Sequence, residues 1–421
     1  MTLPVLSIVA FAIAIIVSCV SQINVGFLSI AFAFIVGVLF GGMKAADVAG
    51  GFPTSLFLIL VGVTLFFSQA SVNGTLDRIA KHSVKLARGN IGMIPVIFFF
   101  LAAGLAAMGA GNIATTALLA PVAMTVAGNM GVSAFLMTVA VCCGANSGAL
   151  SPFAPTGVIA NGLEARIGIT HQEWATFFNN FLAEGFVGLT GYFVLGGYKL
   201  FSRHASRKAV RLDESMLKDE GPFTWNQKLT LALIGALLVA VSYFKMDVGM
   251  GAIIAASIMT LARASNEEQA VKTMPWNVIL MVSGVTVLIS ILEKKGGMDL
   301  FTTILARFST QRSVTGVMGF VTGLISVYSS SSGVVLPAFM PTIPGLIQKI
   351  GGGVDPMALA SSVNVGAHLV DVSPLSTLGA LCIANAASSE DRRALFNKLL
   401  IWGLSMSVIG AIVCWVFFGL L

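Results

Sequence analysis

The sequence predicts an all-α polytopic membrane protein made of two inverted repeats, each with five transmembrane helices, one of them broken, and one re-entrant hairpin. Three observations carry this. Of 421 residues, 56% are hydrophobic and only 10% charged, a balance that belongs to membrane proteins rather than soluble ones. Apolar windows of about 20 residues, the length that spans a bilayer, recur from one end to the other. Finally, two stretches of matching design, 108–161 and 327–385, are apolar enough for the membrane yet interrupted by Gly, Pro, Ser and Asn. In hydrocarbon each unpaired backbone group costs several kcal/mol, so such breaks survive only where protein or a water-filled cavity surrounds them.

Each element follows in order. The N-terminus, MTLPVLSIVAFAIAIIVSCV, has neither a basic leader nor a small-residue cleavage site, so it reads as a retained first span over 3–20. Spans follow at 23–42 and 53–72, then a polar amphipathic segment over 73–90 with Arg78, Lys81, His82, Lys85 and Arg88, expected along the interface. Apolar runs 91–108 and 112–128 are joined only by Gly109, Ala110, Gly111 and Asn112, too few residues for a loop between full crossings. They predict a re-entrant hairpin over 91–128. A span over 131–163 is broken at 146–157, and another covers 174–198. The basic linker 199–223 then separates a first repeat, 1–198, from a second, 224–421, with its own hairpin over 314–348 and broken helix over 355–387.

The repeat rests on a single register. Pro53 and Pro275, Gly62 and Gly284, Asp77 and Asp299, Gly131 and Gly353, Ser151 and Ser373, and Gly157 and Gly379 all stand 222 residues apart. Five crossings are an odd number, so the second copy is inverted. A cytoplasmic linker places fifteen Lys and Arg inside, among them Arg78, Arg88, Arg203, Arg263, Lys272, Arg392 and Lys398, against eight outside, including Lys44, Arg166, Lys294 and Lys349. This follows the positive-inside rule and sets both termini outside.

Composition also excludes. The net charge of +6 sits in short loops between apolar runs, as topology signals do, and not in a patch that would bind nucleic acid. Cys19, Cys142, Cys143, Cys382 and Cys414 show no metal-type spacing and read as small core residues. Gly37, Gly41, Gly185 and Gly188 read as sites of close helix packing. An intramembrane hydrolase is disfavoured, because the run around Ser147 does not match G-x-S-x-G and no HExxH occurs.

Two hairpins from opposite faces meeting two broken helices near the midplane is the arrangement of a secondary transporter. The lining offers Gly111, Asn112, Thr115, Asn146, Ser147, Ser151 and Thr156 from the first half. From the second come Ser329, Ser330, Ser331, Ser332, Gly333, Ser373, Ser376 and Thr377, with His368 and Asp371 close by. No Lys or Arg falls in these segments, so an anion would be held by hydroxyls, amides and helix N-termini. Moving a dianion inward against the membrane potential costs about 2.3 kcal/mol per charge per 100 mV, which makes a co-transported cation the natural remedy. Asn112, Asn146, Ser147 and the freed carbonyls are hard oxygen ligands suited to Na⁺. Asp371 and His368 are ionisable groups at membrane depth, and proton coupling through them is the alternative.

At these residues the chain resembles the divalent anion to sodium symporters of the ion transporter superfamily, and within them the MatC-type dicarboxylate (malonate) carriers. Asn112-Ile113-Ala114-Thr115-Thr116-Ala117 through Pro121 is similar to the family's hairpin signature, Ser-Asn-Thr followed by a small-residue helix and Pro. Ser330-Ser331-Ser332-Gly333 through Pro341 stands at its second copy. Ser147-Gly148 to Thr156 and Asp371 to Thr377 stand where the family's broken helices carry Thr-Pro motifs. Of the signature asparagines only Asn112 is present, and Pro155-Thr156-Gly157 and Ser376-Thr377-Leu378 replace the Thr-Pro-Pro-Asn pattern.

The resemblance implies a carrier, not an enzyme, with no cofactor, in a bacterial cytoplasmic (inner) membrane. It implies a homodimer in which a transport domain moves like an elevator against a scaffold. Substrate carboxylates would be bound by Gly111, Asn112, Ser151, Pro155, Thr156, Ser330, Ser331, Ser332, Gly333, Ser373, Ser376 and Thr377. Na⁺ would sit at the hairpin tips and helix breaks, with Asn112, Asn146, Ser147, Gly148, Ser331, His368 and Asp371 as the cation-binding set. The expected function is cation-coupled symport of a small dicarboxylate such as malonate or a C4 acid. A Na⁺/H⁺ antiporter, a carrier of another anion, and a membrane subunit of a larger import system are the alternatives.

Overall fold

A computed structural model describes residues 2–20, 23–76, 78–79, 90–202, 221–244, 246–387 and 390–420. Most of the expected interfacial segment 73–90, including Asp77, Lys81, His82, Lys85 and Arg88, lies outside the described residues, as does most of the linker 199–223. The rest is helical. The first half runs α1 (Leu3–Val20), α2 (Val25–Phe34, extended by a π turn over Ile35–Phe40), α3 (Thr54–Val72), α4 (Met93–Leu105), α5 (Gly111–Met130), α6 (Ala134–Ala149), α7 (Pro155–Arg166) and α8 (Glu173–Val194). The second runs α9 (Trp225–Ser242), α10 (Val248–Leu261), α11 (Trp276–Lys294), α12 (Gly297–Arg307), α13 (Val314–Ser326), α14 (Ile343–Lys349), α15 (Pro356–Leu369), α16 (Thr377–Ala384) and α17 (Arg392–Cys414).

Helix starts are written in local chemistry. The Asn24 and Asp247 side chains accept the N–H of Gly26 and Met250 at the heads of α2 and α10. Thr224 and Gln227 form a reciprocal capping box at α9. Pro53 and Pro275 precede α3 and α11, and Gly131, left-handed at φ 66, ends α5. The starts of α1, α3, α6 and α7 recur at α9, α11, α15 and α16 with one spacing, 222 residues.

Two groups of helices pack against each other. In one, α3 lies on α10 and α11 on α2. These crossings are close because glycines meet there. A Cβ at Gly284 would collide with the backbone of Gly26, and one at Gly249 with Ile59. In the other group, α4, α5 and α8 pack on α6, while α13 packs on α15 and α17. Both α4 and α5 rest on the same helix, so the continuous apolar stretch Met93–Met130 folds back on itself instead of crossing. Pro356–Ala384 is likewise interrupted between α15 and α16. Among the described residues, Thr54–Val72, Trp276–Lys294 and Arg392–Leu420 are further helices long and apolar enough to cross a membrane, and six shorter apolar helices accompany them.

Several details differ from the sequence reading. The first break was expected over 146–157, but α6 runs through Asn146, Ser147 and Gly148 and the interruption is confined to 150–154. Ser147 Oγ folds back onto the Cys143 carbonyl (2.8 Å), and Gly148 lets α6 approach the backbone of α4 at Ala103. Neither breaks the helix. Arg78, expected at the interface, is buried, donating to Gln227 Oε1 (2.8 Å) and the Gly221 carbonyl, with the Phe223 ring 4.8 Å from its guanidinium. Gly37 and Gly188 do sit at close contacts, but Gly185 has no atom within 4 Å of a would-be Cβ. Cys142, Cys143, Cys382 and Cys414 are buried core thiols.

Candidate functional site

The tip of the first hairpin is shaped by glycine. Gly109 (φ 125) and Gly111 (φ 73) take left-handed backbone that a side chain would strain, and they turn the chain from α4 through a π turn over Ala106–Ala110 into α5. Asn112 follows in the first turn of α5. Its Nδ2 donates to Asn146 Oδ1 (2.9 Å), and Asn146 Nδ2 in turn donates to the His368 carbonyl (2.9 Å). Asn146 and His368 stand 222 positions apart, so corresponding places in the two broken helices touch each other.

At the second tip, Ser330 Oγ accepts the Gly333 N–H (3.0 Å) and starts the return arm. Ser331 Oγ donates to Asp371 Oδ1 (2.7 Å) and lies 2.8 Å from Ser326 Oγ. Ser376, heading α16, donates more weakly to the same Asp371 oxygen (3.4 Å). Asp371 sits in a single 3-10 turn, Val370–Val372, where α15 gives way to the break. Among the described residues its carboxyl therefore meets two hydroxyl donors and no cation.

Two cavities flank these tips. One of about 290 Å³ is lined by Asn112, Ser329 to Ser332, His368, Asp371, Ser376 and Thr377, with Asn277 and Met281 of α11 opposite. The other, about 540 Å³, is lined by Gly111, Asn112, Pro155, Thr156 and Ser332 and by Thr64, Phe67 and Ser71 of α3. Asn112, Ile113, Val278 and Ser332 belong to both, so the wall between the cavities is built from the two tips and α11. The larger cavity reaches Leu76, Thr273 and Pro275, at the ends of α3 and α11. That end of α3 lies beside the start of α9, since Asn73 donates to Thr230 (2.8 Å). It therefore faces the side from which the linker emerges.

Neither lining contains Lys or Arg. An anion here meets hydroxyls, the Asn112 amide and the backbone N–H groups at the heads of α5 and α16, which carry partial positive charge. A hard cation meets hydroxyl and amide oxygens and the Asp371 carboxylate. Among the described residues no group of three or more His, Cys, Asp or Glu is placed to hold a metal ion.

Of the residues singled out from sequence, Gly111, Asn112, Pro155, Thr156, Ser329, Ser330, Ser331, Ser332, His368, Asp371, Ser376 and Thr377 line one cavity or the other. The remainder stand behind the walls. Asn146 braces Asn112, Ser147 and Gly148 pack within α6, and Thr115 is buried in α5. Ser151 Oγ ties the first break to the Ala107 carbonyl (2.7 Å), Ser373 Oγ accepts the Leu375 N–H (3.3 Å), and Gly333 closes on Met281.

The sequence reading missed the bracing layer: Asn180 Nδ2 donates to the Asn146 carbonyl (2.8 Å), and the Asn364 carbonyl holds His368 Nδ1 (2.7 Å). Asn364 Nδ2 also reaches Glu164 Oε1 (3.0 Å), whose other oxygen accepts from Thr176 (2.7 Å). An ionisable or amide side chain inside an apolar span was the available signal.

Residues 1–149 match the family described as the dicarboxylate carrier protein MatC N-terminus. Among solved structures, the chain is similar to the YdaH transporter of Alcanivorax borkumensis, whose crystal structure is described as revealing an unusual topology. The TM-score is 0.60 at 14% sequence identity, over 89% of this chain and 87% of that one. At that identity the likeness is one of fold. No curated protein matches the chain. The match and the fold together support a membrane transport protein of the dicarboxylate or anion carrier kind, not an enzyme.

Proposed function

We propose, from a chain whose first 149 residues carry the MatC dicarboxylate-carrier N-terminus, that this protein is a secondary active symporter. It would bring a small dicarboxylate such as malonate or a C4 acid across the bacterial cytoplasmic membrane with a coupling cation, Na⁺ rather than H⁺. One observation carries the reading. Two hairpin tips converge on a pair of cavities, the smaller rich in hydroxyls and amides and the larger mostly apolar, that contain no Lys or Arg and whose one acid, Asp371, is held by hydroxyls.

Such a site gives a dianion no protein cation to lean on, so a bound cation lowers the electrostatic cost of both binding and translocation. On this reading Asn112, Ser330 to Ser332, Ser376 and Thr377 receive the carboxylates. Asp371, Ser331 and the oxygens near Asn112 and Asn146 receive Na⁺.

The common 222-residue spacing of helix starts supports two inverted repeats. The helices α2, α3, α10 and α11 pack chiefly on one another and meet the hairpins and broken helices along α3 and α11, a division that supports a scaffold and a moving domain of elevator type with the cavities at their seam. A homodimer joined through the scaffold is part of the proposal, as are a cytoplasmic linker and external termini. With the linker inside, the larger cavity opens inward.

Uptake of radiolabelled malonate and succinate into proteoliposomes tests the reading, under an imposed Na⁺ gradient, an imposed H⁺ gradient, or neither. Accumulation that requires Na⁺ is expected; accumulation driven by H⁺ alone would move coupling to Asp371 and His368. Asp371 also favours a second reading, a Na⁺/H⁺ antiporter. An exchanger needs that carboxylate, so Asp371→Asn would abolish it, whereas a symporter could tolerate the variant, the Asn oxygen still offering Na⁺ a weaker ligand.

A further inference from the structure

Halfway along α8, Glu184 is 0% exposed, and among the described residues neither of its carboxylate oxygens accepts from a nitrogen or oxygen donor. One turn earlier Asn180 is equally buried. Its Nδ2 is committed to the Asn146 carbonyl (2.8 Å), while its Oδ1 has no donor. Residues four apart on a helix are neighbours, so two orphaned acceptors stand side by side inside the bundle. An uncompensated carboxylate there costs far more than one hydrogen bond returns.

A single proton resolves both. Bound to Glu184, it removes the charge and supplies the O–H donor that Asn180 Oδ1 lacks. Of the other titratable groups on the elements around α8, which are Cys142 and Cys143 of α6, Glu164 of α7, His368, Asp371 and Cys414, the Cys143 thiol faces Glu184, a weak S–H donor that leaves the charge in place. Glu164 is bonded to Thr176 and Asn364, and Asp371 to Ser331 and Ser376. The cations nearest along the chain, Arg166 and Lys199, lie beyond the two ends of the helix.

We propose that Glu184 is a proton-binding site coupled to transport, its proton shared with Asn180 and its charge state passed through Asn146 to the tip of the first hairpin. When the proton leaves, the carboxylate needs a donor, and the Nδ2 of Asn180 can turn to supply it. Turning releases the Asn146 carbonyl. Asn146 is the residue whose side chain spans Asn112 and the His368 carbonyl, so the loss is felt at the substrate cavity. This rests on the transport reading above and adds one proton to the cation already invoked.

The test is infrared difference spectroscopy on purified full-length protein, with malonate and succinate as probes and Glu184→Gln and Asn180→Ala as variants. A protonated-carboxyl stretch is expected in the wild type. Glu184→Gln should lose it, Asn180→Ala should shift it, and dicarboxylate binding should change it. In parallel, dicarboxylate affinity should vary with pH by up to about tenfold per pH unit, the limit for one linked proton, with a smaller slope in Glu184→Gln. A wild type with no such band, or a band that neither pH nor dicarboxylate moves together with an unchanged slope in Glu184→Gln, would overturn the proposal. If neither acid binds, the transport reading fails instead, and the band with its response to pH still decides the proton.

Discussion

Asn112 shows how much one side chain can hold. It lines both cavities and braces Asn146, which is 0% exposed. Asn112→Ala removes that donor and strands a buried acceptor, a loss of about 1–3 kcal/mol, or roughly 5- to 150-fold in dicarboxylate affinity. Equilibrium binding to purified protein measures it, and an unchanged affinity would place the site elsewhere. Ser331→Ala takes the stronger of two hydroxyl donors from Asp371, and cation dependence should weaken more than apparent substrate affinity at saturating cation. At this scale the sequence was legible where polarity coincided with a break: Asn112, the serine run, Asp371 and Ser376 all line cavities. It was illegible where a polar residue sat in an intact helix. Asn146, Ser147 and Gly148 read as a break because composition cannot tell a helix interrupted by Ser and Gly from one that packs them inward. Glu164, Asn180, Glu184 and Asn364 went unread because they sit in unbroken helix, where the local pattern does not separate a bracing polar group from a solvated one.

Among elements, α2 and α11 cross closely, with Gly26 and Gly284 meeting backbone to backbone. Gly284→Val forces those helices apart, with an over-packing cost of about 1–3 kcal/mol or more. Gly185→Ala meets nothing within 4 Å and should lie within about 0.5 kcal/mol of wild type. Thermal unfolding in detergent separates the two; equal shifts would mean that the crossing tolerates a side chain. The hairpin tip adds a backbone test. Gly111→Ala must hold φ near 73 with a Cβ in place, costing roughly 1–3 kcal/mol, so melting temperature and uptake should fall together. Helix bounds were readable to within a few residues, since Pro53, Pro275 and Gly131 punctuate the chain by stereochemistry. Which glycines serve packing was not, because Gly185 and Gly188 look alike in sequence and only one faces a neighbour.

For the whole molecule, the prediction is topological. Cysteines placed singly in the linker should resist a membrane-impermeant thiol reagent in intact cells and react after the membrane is opened. Labelling in intact cells would invert the arrangement and turn the larger cavity outward. The order of elements was legible because Pro, Gly and Asp positions share one register; the pairing across halves, α3 with α10 and α11 with α2, was not, because nothing in a linear pattern says which apolar face meets which. The two broken helices also meet across the halves, α6 against α15, with Asn146 on His368, each at the other's counterpart position 222 residues away. In a half-length ancestor, before any duplication, the same contact would have joined a residue to its own copy in a second, upside-down subunit. On the proposed repeat, then, the present protein is a fossil dimer sealed into one chain. On that same proposal, Asn on one side and His on the other would mark where the two halves have diverged.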